Sequence, residues 1–134
     1  MHSLLYTANI AGTPAMANDS VIPLGSIERR AGCAIDLNGD NIRLIGNGYY
    51  KVAATFSFIP SVAETVTIRL YKDGVEVPGA EAQVNTDAAA TLPIVAIVRE
   101  SCCDTVGQLS FRVSTSIATT TVQLLNAAVT VVKL

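Results

Sequence analysis

Short runs in which apolar and polar residues alternate, separated by turn residues, recur along the chain. From Tyr49 to Ile59, Tyr50, Val52, Ala54, Phe56 and Phe58 share one parity while Lys51, Thr55 and Ser57 hold the other. That is the period of a strand with one face in a core. Thr65 to Lys72 repeats it, with Val66, Ile68 and Leu70 inward and Thr67, Arg69 and Tyr71 outward; Asp73-Gly74 and a return through Val75 to Val77 complete the strongest hairpin signal. Pro78-Gly79 is expected to break the returning strand, and Ala80 to Ala90 is read as extended despite its alanine run. Leu109, Phe111 and Val113 then alternate with Ser110, Arg112 and Ser114, and a Ser/Thr-rich loop from Thr115 to Thr121 leads to a last strand opening at Val122. Towards the N-terminus the pattern predicts a strand from Ser3 to Ile10, a loose Gly12-Thr13-Pro14 connection, and an edge or bulged segment from Ser20 to Arg29 containing Pro23 and Gly25. Cys33 to Leu37 and Ile42 to Ile45 flank Asn38-Gly39-Asp40-Asn41, a further hairpin. No stretch has the period of an amphipathic helix, so the pattern describes an all-β sandwich or barrel.

Two stretches depart from alternation. Thr91 to Arg99 contains L-P-I-V-A-I-V, and the chain closes on N-A-A-V-T-V-V-K-L from Asn126 to Leu134. In the latter, Ala127, Val129 and Val131 point one way and Ala128, Val132 and Leu134 the other. A strand apolar on both parities must be covered on both faces. Composition points the same way: half the residues are hydrophobic and only 15% charged, against about 25% charged in ordinary soluble domains. The longest clearly apolar run, Leu92 to Val98, is far below the roughly 18 to 20 residues of a helical membrane span. With no Trp and four Tyr, the chain also lacks the aromatic girdles of a membrane barrel. Further copies of the chain remain as the cover. Leu92, Ile94, Val95, Ile97, Val129, Val131, Val132 and Leu134 are therefore the candidates for core or subunit interface, with the parity of each face open.

Charge and chemistry narrow the function. The net charge is −2, and the nine Lys and Arg are scattered, so neither nucleic acid nor an anionic membrane is expected as a partner. The first residues form no secretory signal, which leads to the expectation of synthesis and folding in a cytoplasm. Cys33, Cys102 and Cys103 allow a disulfide from Cys33 to one of the pair or between subunits, but free thiols in a reducing compartment are the reading adopted. Asp36, Asn38 and Asp40 resemble the start of a calcium loop; the match fails at Asn41, where glycine is needed, and at Asn47, where an acid is needed. The sole histidine is His2, leaving a serine or cysteine nucleophile without its usual base. Phosphate-loop and dinucleotide motifs are missing too. No metal, cofactor or enzymatic activity is expected.

Three stretches carry a family resemblance: G-N-G-Y-Y-K-V at Gly46 to Val52, L-Y-K-D-G-V-E-V-P-G at Leu70 to Gly79, and the closing N-A-A-V-T-V-V-K-L. Their order resembles the trimeric jelly roll of tumour necrosis factor and the globular heads of complement first-component q. It resembles particularly the version in the C-terminal domains of bacterial collagen-like spore-surface glycoproteins and related phage fibre or head-decoration proteins. The likeness covers Asn41 to Leu134, and the chain has no Gly-X-Y tract of the collagen-like proteins. The resemblance implies one antiparallel jelly-roll β-sandwich domain over residues 1–134, assembling as a homotrimer with strands from one sheet of each subunit at a threefold axis. Met1 to Arg30 would serve as an attachment or edge-strand segment. It further implies a structural knob or decoration unit on a phage virion or bacterial surface particle, with other particle proteins as partners. A cell-surface receptor or glycan would meet the loops at Asp40, Tyr71, Asp73 and Ser116. The alternative is a soluble ligand-binding or signalling domain of the complement-head type. Val131→Asp is expected to give insoluble or monomeric protein in either case.

Overall fold

The computed structural model describes residues 3–101 and 106–134. Among the described residues twelve strands make two sheets, and every pairing is antiparallel. The N-terminal third supplies β1 (Leu4–Asn9), β2 (Thr13–Ala17), β3 (Ser20–Val21) and β4 (Ser26–Ala31). A short hairpin, β5 (Ile35–Asn38) and β6 (Asn41–Leu44), precedes the long strands β7 (Gly48–Pro60), β8 (Glu64–Lys72), β9 (Val75–Thr86) and β10 (Ala90–Glu100). The chain ends with β11 (Gly107–Thr115) and β12 (Thr121–Lys133). Sheet A runs β10-β7-β12-β1-β4 with β2 also on β12; sheet B runs β5-β6-β11-β8-β9 with β3 also on β11. Strands distant in sequence lie side by side and the chain crosses repeatedly between sheets, the interleaving of a jelly roll.

The alternation seen in the sequence fills the space between the sheets. Tyr50, Val52, Ala54, Phe56 and Phe58 of β7 face Val66, Ile68 and Leu70 of β8 and Leu109, Phe111 and Val113 of β11, all buried. Phe56 and Phe111 meet across the sandwich with ring centroids 4.9 Å apart and tilted by 58°, an arrangement their quadrupoles favour over face-to-face stacking. The buried Tyr50 ring keeps its hydroxyl satisfied by donating to the Gly46 carbonyl and accepting the Gly46 N–H at 3.2 Å. A Cβ at Gly46 would come within 2.8 Å of the Lys133 ammonium, the end of a flexible side chain, whereas Gly48, directly ahead of the tyrosine pair, has a φ of 144° that side chains rarely allow.

In β12 a bulge between Leu124 and Asn126 changes parity, so Val122 and Leu124 before it and Ala127, Val129 and Val131 after it all face the core. On one edge β12 is covered by two short strands in succession, β2 against Thr121–Leu124 and β1 against residues 127–132. Sheet B repeats the device: β6 covers Gly107 to Leu109 of β11 and β3 covers Arg112 and Val113.

Several local expectations change. Thr13 and Pro14, read as a loose connection, belong to β2; an edge strand tolerates proline because only one side needs its N–H. Pro78-Gly79 does not end the returning strand. β9 continues to Thr86, and the register with β8 shifts between Arg69 and Tyr71, absorbing the extra residues as a bulge. The Asp73-Gly74 turn has positive φ at both residues, 53° and 80°, the geometry that joins strands with the right twist. Asp36 is engaged by Arg43 at 3.3 Å and Arg30 at 3.8 Å. Cys33 is exposed, while Cys102 and Cys103 lie outside the described residues.

Candidate functional site

With one face of each sheet spent on the core, the two outer faces remain to act on other molecules, and they differ in chemistry. On sheet A the strand register lays residues in rows across β10, β7, β12 and β1. One row is Val95, Ala53, Thr130 and Tyr6; its neighbours are Pro93, Thr55, Ala128 and Ala8 on one side and Ile97, Lys51, Val132 and Leu4 on the other. Lys51 is the one charged residue among them. Small residues in the middle with larger ones around them leave a shallow depression of about 340 Å³, lined by Tyr6, Ala53, Thr55, Pro93, Val95 and Thr130 among others. At the sandwich edge a second groove of about 420 Å³ sets Val75, Val77, Pro78 and Ile97 beside the charged Lys72, Asp73, Glu76 and Arg99.

Sheet B presents charge and amide to solvent, and several of its charges are paired. The Arg69 guanidinium donates to Glu81 at 2.8 Å and to the Ser114 hydroxyl at 3.2 Å, and lies 3.1 Å from Glu76. The hydrogen bond that Arg69 donates to Glu81 chiefly raises its pKa further. At the hairpin end, the Lys72 ammonium sits 3.0 Å from Asp73 and 3.3 Å from the buried Glu100. Burial alone would lower the Lys72 pKa, but its bonds to Asp73 and Glu100 outweigh burial and raise it. For Asp73, burial pushes the carboxyl up; the Gln108 backbone N–H, donated at 2.9 Å, and Lys72 outweigh it and hold the pKa below the usual range. Arg112 stacks on the Tyr71 ring at 5.2 Å.

The residues singled out as core or interface divide by parity. Leu92, Ile94, Val129 and Val131 are buried in the sandwich. Val95, Ile97 and Leu134 stand 63%, 61% and 66% exposed, with Val132 half-buried on the same outer face. β10 and β12 are therefore covered on one face only within this chain, and their second apolar faces form the outer surface of sheet A. The loop residues divide too. Tyr71 and Asp73 lie together on sheet B, and Asp40 occupies the β5–β6 turn next to Asn41, which shares a cleft with Asp73. Ser116 lies at the far end of β8, where its hydroxyl accepts the Thr65 N–H. Arg112 was visible only as an outward position; its setting depends on strands distant in sequence.

No protein-family model and no curated protein sequence matches the chain. Solved structures do. Murine APRIL superposes with a TM-score of 0.70 at 15% identity, covering 100% of both chains. The PRD1 vertex protein P5 gives 0.66 at 12% identity over 98% of this chain and 96% of its own. The globular domain of zebrafish complement 1qA gives 0.67 at 7% identity over 100% and 98%. The fold is a tumour-necrosis-factor-like jelly roll. At these identities the likeness concerns the backbone, and function rests on what each version places on its faces. In this TNF-like jelly roll, sheet A has an outer face apolar across β10, β7, β12 and β1 and bordered by the charged edge strand β4 and by Arg99, while sheet B has a charged one with several ion pairs.

Proposed function

We propose that the chain is a non-enzymatic structural protein that assembles as a homotrimer through the outer face of sheet A and serves as a knob or decoration unit on a phage virion or bacterial surface particle. The observation that carries the reading is the unpartnered apolar face: Val95, Ile97, Ala53, Ala128, Val132 and Tyr6 form a surface that water disfavours. Burying about 400 Å² of it per subunit would contribute roughly 10 kcal/mol before the costs of association. Closed cyclic symmetry satisfies all copies equally and leaves no apolar face unused. Similarity to the PRD1 vertex protein supports a place on a virion. The carboxylates of Asp36, Glu76, Glu81 and Asp73 are engaged in ion pairs instead of converging on a common point, which supports a structural over a catalytic role. Similarity to APRIL and to the complement domain favours a second reading, a soluble ligand-binding or signalling domain.

Light scattering tests the assembly. Three copies of the 14.0 kDa chain give about 42 kDa, and Val95→Asp is expected to yield a folded monomer. A wild-type monomer, or a Val95→Asp trimer of unchanged stability, would overturn the proposal. Retention on purified particles without binding to cells favours decoration; cell binding without particle retention favours the second reading.

A further inference from the structure

Sheet B carries a cleft of about 460 Å³ lined by Val21, Asn41, Asp73, Gln108, Ser110 and Arg112, with Gly74 at its margin. Its origin is topological. β6 covers β11 as far as Leu109, β3 resumes at Arg112, and no ladder partner stands beside Ser110 on that side, so a notch opens between Asn41 of β6 and Val21 of β3. The volume lies in the range of small-ligand sites.

The groups in the notch select a ligand. Arg112 has no carboxylate within ion-pair distance among the described residues, unlike Arg30, Arg43 and Arg69. Its Nε is buried without a hydrogen-bond partner, and its stacking on Tyr71 fixes the plane of the guanidinium. With the Nε closed to solvent, the terminal nitrogens of the held guanidinium are the groups left to meet a ligand, and their paired N–H groups match a carboxylate. Asp73 stands at the same cleft, kept ionised by the Gln108 N–H and Lys72. A carboxylate there accepts from hydroxyls and repels compact polyanions such as phosphate. The Asn41 and Gln108 amides and the Ser110 hydroxyl add neutral donors and acceptors, and Val21 offers one apolar contact. The chemistry that meets all of these is a ring with one carboxylate and several hydroxyls. We propose that this cleft binds a carboxylated saccharide, with Arg112 taking the carboxylate and Asp73, Asn41, Gln108 and Ser110 taking hydroxyls. The inference rests on the proposed function only in that assembly through sheet A leaves sheet B in solvent.

The test is isothermal titration of the full chain with sialyllactose, with a hyaluronan tetrasaccharide carrying glucuronic acid, with uncharged lactose and with a glutamate-rich peptide. At least one carboxylated sugar should bind about tenfold or more tightly than lactose, and Arg112→Gln should remove that preference. Ser110→Trp, which fills the notch, should abolish binding of every sugar while thermal midpoint and mass stay at wild-type values. Carboxylated sugars binding no better than lactose, undiminished binding by Arg112→Gln or Ser110→Trp, or binding of the peptide alone would each overturn the proposal. Light scattering on the same samples keeps the two readings apart: a monomer that binds the sugar defeats the trimer alone, and a trimer that does not bind defeats the cleft alone.

Discussion

The outer faces of the two sheets are built on the same backbone pattern and carry opposite chemistry. Sheet A sets Val95, Ala53, Thr130 and Tyr6 side by side with no ion pair between them, while sheet B holds Arg43 on Asp36 and Arg69 on Glu76 and Glu81, with Arg112 beside them on Tyr71. The difference shows that the jelly roll fixes which residues face outward and leaves their purpose to composition. A face proposed to meet another copy is small and apolar at its centre; the face of sheet B pairs most of its charges within itself and leaves Arg112 without a carboxylate among the described residues.

The sharpest break in this comparison uses two adjacent residues of β12. Val131 is fully buried and Thr130 is on the outer face. Val131→Asp places an unpaired charge in the core, costs about 5 kcal/mol or more, and should leave insoluble protein in a solubility assay, since a domain this size holds only about 5–15 kcal/mol. Thr130→Asp should instead leave the sandwich intact and dissociate it, giving native circular dichroism with a monomer mass. On sheet B a charge should cost almost nothing: Gln83→Lys, exposed on β9, is expected to keep the trimer mass and shift stability by less than about 0.5 kcal/mol in urea.

Smaller effects distinguish how the faces are held. Arg69→Ala removes contacts to Glu81, Glu76 and Ser114 and should lower unfolding stability by about 1 kcal/mol, a loss that shrinks in high salt. The smallest effect is expected from acid on Asp73. Its folded pKa is depressed, so its contribution is present above the ordinary carboxylate value and is lost as pH falls through the depressed one. Because the side chain is about half exposed, the wild type should lose slightly more stability than Asp73→Asn between pH 5 and pH 2 in urea titrations; an equal loss would show that the turn holds without the carboxylate.

Much of the architecture was legible because a two-residue period survives in β7, β8 and β11, where Tyr50 to Phe58, Val66 to Leu70 and Leu109 to Val113 alternate without interruption. The doubly apolar stretches announced a second surface, yet periodicity only says that two faces differ. Which face of β12 meets the core depends on the partner strands and on the bulge at Leu124–Asn126, a long-range outcome. Thr13 to Ala17 hid a strand behind Pro14, because an edge strand needs half the usual hydrogen bonds. Tyr71 and Asp73 stood out through the hairpin turn beside them. Ser110 and Arg112 carried no local signal beyond their polar parity, since the notch exists only where β3 and β6 fail to meet.

The antiparallel pairing of β1 with β12 sets Leu4 opposite Val132, so the start of β1 and the end of β12 lie at one pole of the sandwich. Ser116 lies at the other pole, where the β11–β12 loop meets the start of β8. In a cyclic trimer these strand ends from every copy would sit on one side like the legs of a stool. A label or tether fused at either terminus would then hold every subunit with the same orientation and leave the Ser116 pole unobstructed.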